Sequence, residues 1–186
     1  MPYRLALHPV DSDYRPTDVE TLIAPLQAIG LIGEPWPHDA VQRFLIGEHF
    51  LQLVTFMGCA PAIALEPPVD GGTAFCHVSL RIFNDGPRLV ADRTQFNPRC
   101  PRCGKRSPAW REALATWETM PRQAMSCPLC GEPSEARELD FRHGAALAST
   151  FIEIHDIHPR EALPTEALFN ALRTATGVDW THAYLA

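Results

Sequence analysis

Cys100-Pro-Arg-Cys103-Gly104 and Cys127-Pro-Leu-Cys130-Gly131 are two copies of one short pattern, and 23 residues separate Cys103 from Cys127. In each copy a tight turn can aim both thiols at one centre. The glycine that follows lets the backbone turn so that N–H groups face sulfur. Two such turns supply four soft donors, the number that tetrahedral Zn²⁺ takes. The expectation is one zinc ion held by Cys100, Cys103, Cys127 and Cys130, with iron as the rival metal. Four protein ligands leave no open position for water or substrate, so the ion reads as structural. A lone CxxC also suits a redox dithiol, but its doubling points to metal.

The double Cys-Pro-x-Cys-Gly knuckle resembles the zinc-ribbon and rubredoxin-like class over about residues 99–131. The stretch between the knuckles departs from a plain ribbon. Ser107-Pro108 has the chemistry of a cap and first turn, and Trp110, Leu114 and Trp117 follow at helical spacing. A short amphipathic helix is expected there. A module of about 35 residues buries too little to hold itself together, so metal must supply much of its folding energy.

Other side chains could do acid–base or metal chemistry. His8, Asp11 and Asp13 follow one apolar alternating segment, and His155, Asp156 and His158 follow another. Sites in α/β units gather at the carboxyl ends of strands. If the two segments are parallel neighbours, His8 and His155 come together and a small enzyme becomes the alternative function. Strand-end histidines that bond locally are the simpler reading, because the spacing matches no ligand motif. Cys59 lies in Phe-Met-Gly-Cys-Ala-Pro and is a candidate nucleophile. No Cys-His signature accompanies it, so Cys59 and Cys76 read better as core.

The elements that must position these groups follow from periodicity. Tyr3–His8, Cys76–Phe83, Thr150–His155 and Trp180–Leu185 read as strands. Phe50–Met57, apolar on both faces, reads as a central strand, and Val41, Phe44 and Leu45 suit a short helix. Asn84-Asp85-Gly86-Pro87 marks a hairpin turn returning through Arg88–Asp92. Helices are expected from Thr17 to Gly30 and from Thr165 to Gly177. The two ends are alike: His8 to Gly30 and His155 to Gly177 span equal distances, each through a Pro-Thr-acid helix start. The fold class is therefore α+β, a mixed sheet with two ferredoxin-like β-α-β halves. Residues 1–96 and 138–186 form one domain, and residues 97–137 an inserted zinc-ribbon-like module.

Charge limits the partners. The chain of 186 residues carries a net charge of -6, a poor match to nucleic acid or anionic membrane. Residues 97–137 alone carry a net +3, through Arg102, Lys105 and Arg106 among others. That admits nucleic-acid binding through the module, but the stripe is modest beside those of strong binders. The opening Met-Pro-Tyr-Arg-Leu-Ala has no leader pattern, and the apolar run from Phe44 to Leu65 is interrupted by Glu48, His49, Gln52 and Pro61. A soluble cytoplasmic protein is expected. The leading reading is a zinc-stabilised binding or adaptor protein whose partner is a protein or small molecule.

Overall fold

A computed structural model describes residues 3–36, 41–57, 63–91 and 96–185. In chain order the elements are β1 (Arg4–Pro9), α1 (Glu20–Ala28), β2 (Ile32–Pro35), β3 (Gln42–Ile46), α2 (Phe50–Leu53), β4 (Val54–Phe56), β5 (Val78–Ile82) and β6 (Arg88–Ala91). There follow α3 (Trp110–Thr119), β7 (Met125–Ser126), β8 (Pro133–Ser134), β9 (Ala145–Ala148), β10 (Thr150–His155), β11 (Ala162–Pro164), α4 (Glu166–Thr176) and β12 (Trp180–Leu185). Four helices and several sheets make an α+β fold.

The main sheet has 6 strands in the order β12-β1-β10-β5-β3-β2. Among the described residues every ladder in it is antiparallel. The first strands of the two halves, β1 and β10, are neighbours as expected, but they run antiparallel, with Arg4 opposite His155 and Leu7 opposite Ile152. This corrects the parallel expectation. Each β-α-β half returns its chain in the direction it started, so β12 runs with β10. The half is split, however, and β1 slots between β10 and β12, which forces the opposite direction on it. The order β12-β1-β10-β5 is that of a ferredoxin-like split β-α-β pair. β3 and β2 extend it at one edge.

Alternation assigns the two faces. Leu5, Leu7, Ile152, Ile154, Val78 and Leu80 point to the helices and join Leu22 and Leu26 of α1 and Leu168 and Leu172 of α4 in one apolar core. The helix α4 is locally well specified. The Thr165 side chain accepts from the Leu168 N–H, and Gly177 closes the helix at φ 73°. The opposite face carries Ala6, Ala183, Leu185 and Phe151, which pack on Ala146 and Ala148 of β9. All four of those alanines are fully buried, so the second layer approaches the sheet closely.

Three local expectations fail. Gln42–Ile46 is a strand rather than a helix. It pairs with both β2 and β5. Gly47 fixes this corner, because a Cβ there would lie 2.3 Å from the Gly30 carbonyl oxygen. Phe50–Met57 is not a central strand. A turn of helix buries Phe50 and Leu53, and β4 then pairs with β11 outside the main sheet. The turn at Asn84–Pro87 exists, but β6 does not return along β5. It pairs with β9 instead, because both sides of β5 are already occupied by β10 and β3.

The close alanine contact is testable. Ala146→Leu adds three carbons where β9 meets β1 and β12, and overpacking of this kind costs about 1–3 kcal/mol. Urea unfolding should show that loss, while an unchanged midpoint would mean the layers are not in tight contact.

Candidate metal centre

The two knuckles fold alike. In the first, the Gly104 N–H donates to the Cys100 carbonyl at 2.9 Å and the Cys100 N–H to the Lys105 carbonyl at 3.0 Å. In the second, the Gly131 N–H donates to the Cys127 carbonyl at 2.9 Å and the Cys127 N–H to the Glu132 carbonyl at 2.8 Å. Both glycines sit in the left-handed region, at φ 68° and 78°, where only glycine is unstrained. Backbone N–H groups of Arg102 and Leu129 point at the Cys100 and Cys127 sulfurs, at 3.4 and 3.5 Å.

These turns bring Cys100, Cys103, Cys127 and Cys130 together, with all four Sγ atoms within 4.8 Å of one another. Across the knuckles, Cys100 to Cys130 is 3.9 Å and Cys103 to Cys127 is 4.0 Å. Four sulfurs at about 2.3 Å from a central zinc would be about 3.8 Å apart along each tetrahedral edge. The arrangement therefore fits a four-thiolate metal ion. Electrostatics points the same way. Burial works to raise the Cys127 thiol, but donors from Leu129, Cys130 and Cys100 outweigh it and bring it down to about 7. On Cys130 an N–H contact from Glu132 works to lower the thiol, yet burial and the neighbouring cysteines push it up to about 12. Without a cation the sulfurs share protons. With one, all four can be thiolates.

The module's core is shared with its neighbours. Trp110, Leu114 and Trp117 of α3 line one side of a cluster that contains Cys100 and Cys127. The Trp110 and Trp117 rings stack at 5.3 Å, and the Trp117 indole N–H donates to the Gln123 carbonyl at 2.8 Å. Leu89 of β6 and Ala145 and Leu147 of β9 complete the same cluster. Arg99 and Asp140 exchange backbone hydrogen bonds at 3.0 and 3.2 Å, tying the start of the module to its exit.

The histidine cluster expected at the strand ends does not form. Because β1 and β10 are antiparallel, Arg4 rather than His8 lies opposite His155. His8 is four residues further along β1, about 13 Å away at strand rise. It is half-buried, and its ring Nδ1 bonds the Pro9 carbonyl at 3.0 Å. Burial lowers its pKa to about 4. Asp11 caps the Asp13 N–H, and Asp13 pairs with Arg122 of the metal module at 2.6 Å. The His158 ring lies 5.2 Å from that of Tyr3, and Asp156 has φ 60° beside it. Cys76 is buried in the helix-facing core, and burial pushes its thiol up to about 12. Cys59 lies outside the described residues.

His155 belongs instead to a buried polar cluster on the face away from the helices. Glu153 is 1% exposed, with Arg4 Nε and Arg81 Nη1 each 3.2 Å from its Oε1. The His155 Nε2 lies 2.8 Å from the Ser79 hydroxyl, and its ring stacks on His77 at 4.3 Å. His77 in turn meets Arg43 at 3.3 Å. Ser79, His155 and Glu153 are not a hydrolytic triad. The carboxylate approaches the same Nε2 that faces the hydroxyl, at 4.0 Å, where a triad needs it on the other ring nitrogen. Ser79 is also buried. The sequence contained a signal for this cluster: a glutamate inside the apolar run Thr-Phe-Ile-Glu-Ile-His, and His77, Ser79 and Arg81 alternating with apolar residues. Their meeting required the β10–β5 register, in which Glu153 faces Ser79.

No protein-family model, characterised protein or solved structure matches the chain. What fold and site define together is an α+β protein with four cysteines placed to hold a metal ion. Among the described residues no helix is long and apolar enough to cross a membrane.

Two predictions follow from this geometry. Burial, then the charges of His77, Arg4, Arg43 and Arg81, lower the His155 pKa to about 3. The unfolded chain therefore binds this proton first, near pH 6.5, and the folded state is disfavoured as pH falls from there towards 3. The loss approaches about 1.4 kcal/mol per pH unit per histidine. Stability measured from pH 7 to 5 should fall less steeply in His155→Gln than in the unsubstituted chain, and equal slopes would refute the assignment. Second, Cys127→Ser should remove hydrogen-exchange protection from α3 and also from β6 and β9, which share its core, while β1 and β10 stay protected. Equal loss in β1 would show one cooperative unit.

Proposed function

We propose that this chain is a zinc-stabilised binding or adaptor protein, in which a structural zinc ion held by Cys100, Cys103, Cys127 and Cys130 keeps a compact module docked on a ferredoxin-like sheet. The observation that carries this reading is the convergence of all four sulfurs within 4.8 Å. The zinc-ribbon and rubredoxin-like resemblance of the paired Cys-Pro-x-Cys-Gly turns supports it. Zinc is preferred to iron on the physical ground that the site needs only a tetrahedral cation and no redox partner. Four thiolates also suit a reducing, cytoplasm-like compartment.

Binding is favoured over catalysis because a four-cysteine ion keeps no exchangeable position. The His8 and His155 pairing that supported an enzyme is separated by strand direction. The partner is proposed to be a protein or small molecule rather than nucleic acid, on the strength of the -6 net charge.

Protein purified without added metal should contain about one zinc per chain by elemental analysis. Chelation should lower its unfolding temperature, and zinc should restore it. Purification of a metal-free chain with a Cys100–Cys103 disulfide under reducing conditions, or of an iron-loaded one, would sink the zinc reading.

A further inference from the structure

A cavity of about 260 Å³ opens where the metal module meets the end of the main sheet. Its walls come from both. Arg106 arrives from the module, Phe96 and Phe141 from the segments that flank it, and Tyr3, Arg160 and Tyr184 from the sheet side. Among the described residues no carboxylate lines it, whereas three other cavities each include at least one aspartate or glutamate. In a chain of net charge -6 that is an unusual concentration of cation.

We infer that this cavity binds a small phosphate monoester with an aromatic or heterocyclic body. The inference deepens the binding-protein reading above and rests on it. Charge decides the ligand class. Three arginines, Arg106, Arg142 and Arg160, line the cavity. The guanidinium of Arg142 is already paired with Asp140 at 2.8 Å. Among the described residues Arg106 and Arg160 meet no carboxylate, which leaves roughly two uncompensated charges. A phosphate monoester carries about -1.5 to -2 at neutral pH, and a simple carboxylate only half that. Guanidinium groups match phosphate oxygens in pairs.

The rest of the wall decides the body. Tyr3 and Phe141, both partly exposed, give it an aromatic lining. The volume falls just below the usual range for drug-sized ligands, so it suits a small ester rather than a polymer strand. The cavity is also preformed. His143 is held by its ring Nδ1 against the His182 carbonyl at 2.7 Å, and its own carbonyl accepts the Tyr184 N–H at 2.7 Å. The Tyr184 hydroxyl donates to the Ala162 carbonyl at 2.7 Å, fixing that ring. Arg142, His143 and Arg160 have φ 50°, 62° and 65°, so three of the four described non-glycine residues with positive φ lie on this wall. Such strain persists where surrounding structure holds it, and it clusters at ligand sites.

The test uses the full zinc-loaded chain with phenyl phosphate and inorganic phosphate as probes, followed by calorimetry. Phenyl phosphate should bind one to one, more tightly than inorganic phosphate. Arg106→Gln combined with Arg160→Asn, the asparagine chosen because it tolerates positive φ, should weaken it by about ten-fold or more. Zinc content is measured on the same samples. Stoichiometric zinc with no heat at millimolar phenyl phosphate overturns the phosphate site and leaves the metal reading standing. Unchanged affinity in a folded double variant overturns it too. Amide-shift mapping on the unsubstituted chain needs no variant: shifts centred on His143, Gly144 and Arg160 support the site, and shifts centred on Arg15 and Arg88 overturn it.

Discussion

Four sulfurs within 4.8 Å of one another cannot all be charged without a cation among them, and much of this molecule depends on how that conflict is resolved. At an effective dielectric constant near 20, two unit charges about 4 Å apart interact by about 4 kcal/mol. With a divalent ion at the centre, the same repulsion becomes the attraction that closes both knuckles. The consequence reaches past the ligands. Cys100 and Cys127 are themselves core residues, packed with Trp110, Leu114 and Trp117. That core continues into Leu89, Ala145 and Leu147, so the cysteine cluster shares its packing with β6 and β9. β9 in turn covers Ala6 and Ala183 of the main sheet. The four sulfurs are thus two packing steps from the main sheet.

Local chemistry was legible from the sequence wherever one short segment decides the outcome. The knuckles are set by two cysteines, a turn and a glycine, and they read directly. So did α4, whose Thr165 cap and Gly177 stop are adjacent to the helix they bound. The burial of α3 through Trp110, Leu114 and Trp117 was equally local. Strand direction was not legible, for a simple reason. A period-two pattern reads the same from either end, so Leu5-Ala6-Leu7 and Ile152-Glu153-Ile154 specify their faces but not their orientation. The faces came out as expected, with Leu5 opposite Ile154 and both turned to the helices. The direction was set by the splitting of each β-α-β half, which is a property of the whole sheet.

The failed hairpin has the same origin. A turn at Gly86 is a local fact, but whether the following strand pairs backwards depends on whether an edge is free. Here β10 and β3 had taken both edges of β5. The cavity between module and sheet was invisible for a stronger version of this reason. Its arginines come from positions 106, 142 and 160, in three segments with no common spacing. The cavity exists only because the module docks where it does.

The buried cluster around Glu153 shows how a sheet with such permissive alternation settles on one register. A carboxylate that is 1% exposed between Arg4 and Arg81 is poor evidence for stability, since its desolvation offsets much of the attraction. It is strong evidence for specificity. In the observed register Arg4, Glu153, Ser79 and Arg81 share the face away from the helices, while Leu5, Ile152, Ile154, Val78 and Leu80 face α1 and α4. A slip of one residue in β10 would turn Glu153 towards Leu22, Leu26 and Leu168 and leave both arginines without their carboxylate. Apolar residues alone would penalise that slip only through lost area. A lone charge in the helix-facing core costs several kcal/mol. The ionic cluster therefore contributes little to holding the sheet together and much to excluding the alternatives. The central pair β1–β10, on which both layers are built, is where that exclusion matters most.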